Sequence, residues 1–280
     1  MDITTLFHFD GFATAHFLAL ASLGALVGFT VGMTGVGGGS LMTPALIGLF
    51  GIAPSTAIGT DLAFAASTKS VGLVSLRNSG AIHWKLAQLM VIGSVAGALM
   101  SFLWLTQTQH SAHQANVHTG HVLRYAIAFA LLLTAASLIF RERIANWARR
   151  SRPSLTTSRV SDTKRQIATL VLSFLIGGLV MLSSIGAGAI GCTVLTLLYP
   201  ELDAKEISAT DIAYAIPLTA LSALMHGLSG HIDFTLLLAL VVGSTPGVYL
   251  GVKAGRKISG AWSRGALATV LTLVAAKSLV

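Results

Sequence analysis

The chain has 280 residues, of which 54% are hydrophobic and 10% are charged. An ordinary soluble domain carries about 25% charged residues, so this composition excludes that class of protein. The net charge is +8, but eight of the 18 basic residues lie in one polar segment between residues 141 and 165. Basic segments between apolar stretches mark the cytoplasmic loops of membrane proteins, and we therefore expect no nucleic-acid binding.

Apolar stretches follow one another along the chain. They lie at 13–33, 55–76, 84–106, 122–140, 167–182, 206–228, 233–252 and 264–280. Nearly all have the roughly 17–25 residues with which a helix crosses a hydrocarbon core about 30 Å thick. Residues 1–10 contain two Asp and no Lys or Arg, so they lack the basic start of a cleavable signal peptide. The sequence predicts an all-α, polytopic transmembrane helical bundle in the plasma membrane.

The two halves of the chain resemble each other at an offset of 150 residues, without a gap. Thr60-Asp61 aligns with Thr210-Asp211, and Ser79-Gly80 aligns with Ser229-Gly230. Four glycines also align with glycines: Gly28, Gly38, Gly93 and Gly97 with Gly178, Gly188, Gly243 and Gly247. We infer a first transmembrane repeat at 1–140, a basic cytoplasmic linker at 141–166 and a second transmembrane repeat at 167–280.

The basic residues orient the two repeats. The turn 77–85 carries two basic residues, whereas its counterpart 227–235 carries no Lys or Arg. Conversely, the segment 253–264 carries four basic residues and its counterpart 103–114 carries none. Because basic loops face the cytoplasm, equivalent loops face opposite sides, and we expect inverted-topology repeats with both termini outside. Inverted repeats are typical of secondary transporters that work by alternating access.

Glycine-rich breaks interrupt the apolar stretches at corresponding places, Gly35–Ser40 and Ser184–Gly191. Such matched breaks in broken helices point to a transporter binding site. The unpaired N–H groups that open the following helix favour an anion there, and glycine allows close approach. The alternative is that the glycines only let helices pack closely, which is the role we expect for Gly93, Gly97, Gly243 and Gly247.

Ionisable residues inside the spans are further candidates, because a charge in a bilayer is costly. Asp61 and Asp211 either take part in the site or accept N–H bonds from a neighbouring helix break. Lys69 has no counterpart in the other repeat. It either binds an anion together with the Ser70 hydroxyl, pairs with Asp61, or extends toward the inner surface. We interpret His226 as an interfacial histidine rather than a proton-coupling group.

The sequence lacks the pattern of a catalytic or cofactor site. The segment 106–121 contains His110, His113, His118 and His121, in two pairs spaced three residues apart, without a Cys or carboxylate. We interpret it as a polar outer loop, with metal binding as the alternative. Cys192 is the single cysteine. Because no nucleophile–base pair or metal set is evident, we expect no enzymatic activity, no metal and no cofactor.

Three segments of the first half carry a resemblance to a known protein family. They are Gly35-Val36-Gly37-Gly38-Gly39-Ser40-Leu41-Met42-Thr43-Pro44, Ala57-Ile58-Gly59-Thr60-Asp61-Leu62 and Thr68-Lys69-Ser70-Val71-Gly72. The second half carries looser counterparts, Ser184-Ile185-Gly186-Ala187-Gly188 and Ala209-Thr210-Asp211. With these segments the chain resembles the sulfite exporter TauE/SafE family of membrane anion transporters, over nearly its whole length except the linker and the histidine-rich loop.

The resemblance implies transport of sulfite, organosulfonates or related sulfur oxyanions, often as export from the cytoplasm. This agrees with a site in which helix N-termini, hydroxyls and one lysine hold an anion. The expected substrate-binding residues are Gly35, Gly37, Gly38, Gly39, Ser40, Thr60, Asp61, Lys69, Ser70, Ser184, Gly186, Gly188, Thr210 and Asp211. An anion-selective channel is the alternative function. Coupling to H⁺ or Na⁺ and assembly as a homodimer stay open, and membrane lipid is the expected surrounding.

Overall fold

The computed structural model of the chain describes residues 11–34, 39–76, 80–110, 125–137, 139–140, 143–144 and 159–255. Within these ranges the regular elements are α-helices, which confirms the predicted all-α class. They are α1 (Gly11–Thr34), α2 (Gly39–Phe50), α3 (Pro54–Leu76), α4 (Trp84–His110), α5 (Tyr125–Ser137), α6 (Arg159–Ser183), α7 (Ala189–Leu198), α8 (Ala204–Leu228) and α9 (Phe234–Gly255).

Five helices in the described ranges are long and apolar enough to cross a membrane: Ala15–Met33, Trp84–Gln107, Thr163–Ser183, Ala204–Leu228 and Phe234–Gly251. The helix α3 has 23 residues but is less apolar, because it carries Asp61, Lys69 and several hydroxyl side chains. Large apolar side chains such as Leu26 and Ile92 are exposed on the outside of the bundle. A protein with this surface belongs in lipid. The predicted stretch 264–280 lies outside the described residues.

Three helix pairs form the frame of the bundle: α1 packs on α9, α4 on α6, and α3 on α8. The predicted packing glycines Gly93, Gly97, Gly243 and Gly247 lie at the first two contacts. A Cβ atom on any of them would overlap the backbone of the neighbouring helix. The packing role predicted for these glycines is therefore confirmed, because only the absence of a side chain allows the helix backbones to approach this closely.

The helix starts follow the offset found in the sequence. Three pairs begin 150 residues apart: α2 and α7 at Gly39 and Ala189, α3 and α8 at Pro54 and Ala204, and α4 and α9 at Trp84 and Phe234. The contact of α1 with α9 corresponds, at the same offset, to the contact of α6 with α4. The opposite orientation of the halves and the boundaries at 140 and 167 stay predictions.

Candidate functional site

The chain between α6 and α7 runs as a short non-helical segment, Ser184–Gly188, inside the bundle. Its backbone takes left-handed conformations, with φ of +60° at Ser184 and +116° at Gly186. Such values are uncommon for a residue with a side chain and easy for glycine. Non-helical backbone at membrane depth is tolerated where protein buries it or where it lines a cavity, and this segment is buried.

Side chains from neighbouring elements hold this break in place. Ser137 of α5 donates a hydrogen bond to the Ala189 carbonyl oxygen at 3.0 Å, at the start of α7. The Ser183 hydroxyl accepts a bond from the backbone N–H of Ile185 at 3.1 Å. Gly188 is the N-cap residue of α7 and offers no side-chain bond to the helix. The N-terminal turn of α7 is thus fixed in position but lacks a side-chain cap.

Asp61 of α3 is fully buried and faces both α2 and the break. Its Oδ2 accepts a hydrogen bond of 2.6 Å from the Thr43 hydroxyl of α2. The Ser184 hydroxyl lies beside the same carboxyl group. Neither Asp61 Oδ1 nor Ser184 Oγ has a hydrogen-bond partner among the described residues. Asp61 therefore connects α2, α3 and the break, and leaves two buried oxygen atoms unsatisfied.

Lys69 lies about two helical turns beyond Asp61 on α3 and is partly buried. Its ammonium group donates to the carbonyl oxygen of Ala187 in the break. Asp211 and Asp61 lie within electrostatic range of this ammonium. In the described part of the chain, the lysine contacts the break rather than forming the ion pair with Asp61 that the sequence left open. An ammonium has three donors, so one bond to Ala187 leaves capacity for an anion.

Asp211 and Tyr214 of α8 lie against the first turn of α7. A Cβ atom on Gly191 would overlap both Asp211 Oδ1 and the Tyr214 hydroxyl. Tyr214 is fully buried, and its hydroxyl has no hydrogen-bond partner among the described residues. The sequence analysis missed Tyr214. The sequence contains a signal for this residue, because Tyr214 aligns with Phe64 at the 150-residue offset. The second half therefore carries a hydroxyl at a buried position where the first half has none.

These residues form the central polar cluster, which we define as Thr43, Asp61, Lys69, Ser184, Ala187, Asp211 and Tyr214. Gly186 and Gly188 lie in the break itself. Of the other predicted site residues, Gly39 and Ser40 open α2. Gly35, Gly37 and Gly38 lie outside the described residues.

Three predicted site residues have their hydroxyls engaged elsewhere. Thr60 accepts a hydrogen bond from the backbone N–H of Asp233 at 3.1 Å, and Thr210 accepts one from that of His83 at 3.1 Å. These bonds tie α3 to the start of α9 and α8 to the start of α4. Ser70 is exposed and donates to the Ala66 carbonyl oxygen at 2.7 Å. Ser70 therefore lies outside the lysine's contacts with the break, and its part in anion binding stays a prediction.

His226 is buried, not interfacial as the sequence analysis expected. Its side chain is 1% exposed, and its Nε2 lies 3.1 Å from the Met181 carbonyl oxygen of α6. The described residues include no group of three or more His, Cys, Asp or Glu that could hold a metal ion. Of the four histidines in 106–121, His113, His118 and His121 lie outside those residues, so the metal alternative stays a prediction.

Comparison with known proteins places the chain among membrane transporters. The family model described as "Sulfite exporter TauE/SafE" matches residues 20–278. The chain belongs to the TauE/SafE family. Its relatives include the Bacillus subtilis (strain 168) "Probable membrane transporter protein YjnA", which is 33% identical over 84% of this chain and 88% of the relative. With the five apolar helices, this identifies a multi-pass membrane transporter and not an enzyme.

Two further relatives carry similar names. The Bacillus subtilis (strain 168) "Probable membrane transporter protein YdhB" is 26% identical over 81% of this chain and 86% of that protein. A "Probable membrane transporter protein" of Xylella fastidiosa (strain 9a5c) is 25% identical over 84% of each chain. No solved structure matches the chain.

Proposed function

We propose that this TauE/SafE member is a secondary transporter that carries a small sulfur-containing anion, such as sulfite, an organosulfonate or a related oxyanion, by alternating access. Export from the cytoplasm is the direction that the family's name favours. The observation that carries the proposal is the central polar cluster, where a lysine ammonium and a tyrosine hydroxyl that has no partner among the described residues meet a helix break inside an apolar bundle.

The donors of the cluster suit an oxyanion. Lys69 supplies a positive charge beside the break, and Tyr214 supplies a buried O–H at the first turn of α7. The N-terminal turn of α7 adds the partial positive charge of a helix start, and Gly188 places no side chain over it. An oxyanion with several oxygens can accept bonds from donors that converge from different directions, whereas a halide ion offers a single atom.

The arrangement of the bundle suits alternating access. Lys69 of α3 contacts the break, and Asp211 and Tyr214 of α8 contact the first turn of α7 that follows it. The helices α3 and α8 correspond to each other at the 150-residue offset. If the halves are inverted, as the basic residues predict, an exchange of conformation between them opens the same site to the opposite side. A channel would use the same donors but would not need two interchangeable halves.

A melting-temperature screen of the purified protein tests the substrate class. We expect sulfite, sulfate, thiosulfate, taurine or sulfoacetate to raise the melting temperature in a saturable way, because a ligand that binds only the folded state stabilises it. The Lys69→Met variant should lose that increase while it stays folded. No increase with any of the five compounds, or an equal increase in Lys69→Met, would argue against the proposed site.

A further inference from the structure

The Asp61 carboxyl is the part of the central polar cluster for which anion binding gives no role. We propose that Asp61 is a proton-binding site of the transport cycle and that in this conformation it carries a proton on Oδ1. The inference rests on the proposed function and adds the identity of the coupled ion. It starts from two buried oxygen atoms, Asp61 Oδ1 and Ser184 Oγ, which have no hydrogen-bond partner in the described part of the chain and belong to side chains that lie beside each other.

A single proton satisfies both atoms. The Thr43 hydroxyl donates to Oδ2, so a proton on Oδ1 is free to be donated to Ser184 Oγ. An ionised carboxylate could also accept a bond from Ser184, but it would lack a counter-cation in direct contact, because the Lys69 ammonium donates to Ala187. A buried charge without a paired partner is costly, and a carboxyl group avoids this cost by binding a proton.

Among the described residues, the elements packed around α3 supply no other cation beside Asp61. The helix α2 contains no titratable side chain. From α8, the buried titratable groups are Asp211, Tyr214 and His226, and His226 contacts the Met181 carbonyl instead. From α9, Tyr249 and Lys253 are exposed on the outside. The charged group that acts on Asp61 is Lys69 of its own helix, which opposes the binding of any cation there, so the choice of a proton over Na⁺ rests on the two oxygen atoms that one proton can join.

The charges of the cluster link this proton to the anion. With all three groups ionised, Lys69, Asp61 and Asp211 carry formal charges of +1, −1 and −1, which leaves a net −1 that repels an anion. One proton on Asp61 makes the sum zero, and the helix start of α7 then provides the remaining attraction. The proton and the anion therefore bind together and cross in the same direction, and their two gradients together set the net direction of transport.

Infrared spectroscopy of the purified protein in lipid tests the proton directly. We expect the band of a protonated carboxyl at neutral pH, lost in Asp61→Asn and shifted in Ser184→Ala, which removes the acceptor. Asp233→Asn is the matched control, because Asp233 caps α9 outside the cluster, accepting from the Leu236 N–H at 2.9 Å. Absence of the band in the unmodified protein, or its persistence in Asp61→Asn, would overturn the proposal.

The pH dependence of anion binding tests the coupling. With sulfate or thiosulfate, whose own charge does not change near neutral pH, linkage predicts that affinity falls about tenfold per pH unit where Asp61 loses its proton. This slope should vanish in Asp61→Asn and should not depend on replacing Na⁺ by K⁺. A slope that persists in Asp61→Asn, or binding that needs Na⁺, overturns the proton site. If none of the sulfur anions binds, the proposed function is refuted, whereas the infrared result on Asp61 is unaffected.

Discussion

Lys69 shows what can and cannot be predicted from single residues. A lysine inside an apolar stretch, with no counterpart in the other repeat, indicates a particular role from the sequence alone. Its contact with Ala187, 118 positions away along the chain, depends on how α3 packs against the break and cannot be read from local sequence. Ser70 points away from Lys69 for a local reason, because consecutive residues of a helix point in directions about 100° apart.

Replacing Lys69 tests the charge. We expect Lys69→Met to weaken anion affinity by at least about thirtyfold, since losing one partner of a buried charge pair costs about 2 kcal/mol or more. Lys69→Arg should keep part of the affinity, because the charge survives and the shape does not. Titration of the anion against the purified variants measures both. Unchanged affinity in folded Lys69→Met would remove this residue from the site.

Replacing Tyr214 tests the role of its buried hydroxyl. Tyr214→Phe should lower anion affinity about tenfold or more, the effect of losing a hydrogen bond to a charged group. Without anion its melting temperature should not fall, because the hydroxyl has no partner among the described residues.

Tyr199→Phe is the matched control for Tyr214→Phe. The Tyr199 hydroxyl lies 3.0 Å from the Thr169 hydroxyl, away from the cluster, so this variant should lose stability and keep its anion affinity. The reverse pattern in the two variants would make Tyr214 a structural residue.

At the scale of elements, helix class and helix breaks follow from composition, but the partners of each helix do not. The apolar stretches predict the helices well, and the glycine-rich segment after Ser183 lies where α6 ends. The stretch 13–33 does not indicate that α1 packs on α9, because close contact depends on glycines from both helices meeting in space. The sequence analysis expected His226 at the membrane interface. Its burial depends on another helix, because the Met181 carbonyl oxygen that it contacts belongs to α6.

A pair of glycine substitutions tests the close helix contact. Gly177→Ala should destabilise the protein by about 1–3 kcal/mol, because its Cβ would overlap the Ser94 backbone of α4. Gly48→Ala is the control, because Gly48 has open space around its Cβ position in α2 and should be neutral or stabilised by up to about 1 kcal/mol. Melting temperatures in one detergent compare the two. Equal effects would show that the α4–α6 contact tolerates a side chain.

At the scale of the whole molecule, the 150-residue offset is the feature from which most of the account follows. It relates helix starts, helix contacts and the two backbone-to-threonine bonds, from Asp233 to Thr60 and from His83 to Thr210. The sequence could reveal this similarity because polar and glycine positions align without a gap. It could not reveal which differences between the halves matter, such as Tyr214 against Phe64, because that depends on which side chains the fold brings together.

Cysteine labelling at equivalent positions tests the inversion. Ser55 and Lys205 lie 150 residues apart, near the starts of α3 and α8. In a background with Cys192→Ser, an impermeant thiol reagent should modify Ser55→Cys in intact cells and Lys205→Cys only after permeabilisation, because inverted repeats place them on opposite sides. Modification of both from the same side would mean that the repeats are parallel.

Counterflow in proteoliposomes tests the central claim most directly. Vesicles loaded with unlabelled sulfite should take up labelled sulfite against its gradient, saturably, and Lys69→Met protein reconstituted at equal density should not. Counterflow arises because a site that alternates between two sides exchanges one bound anion for another. Uptake that is linear in concentration, or that is equal in Lys69→Met vesicles, would contradict a transporter with this site and would favour an anion channel.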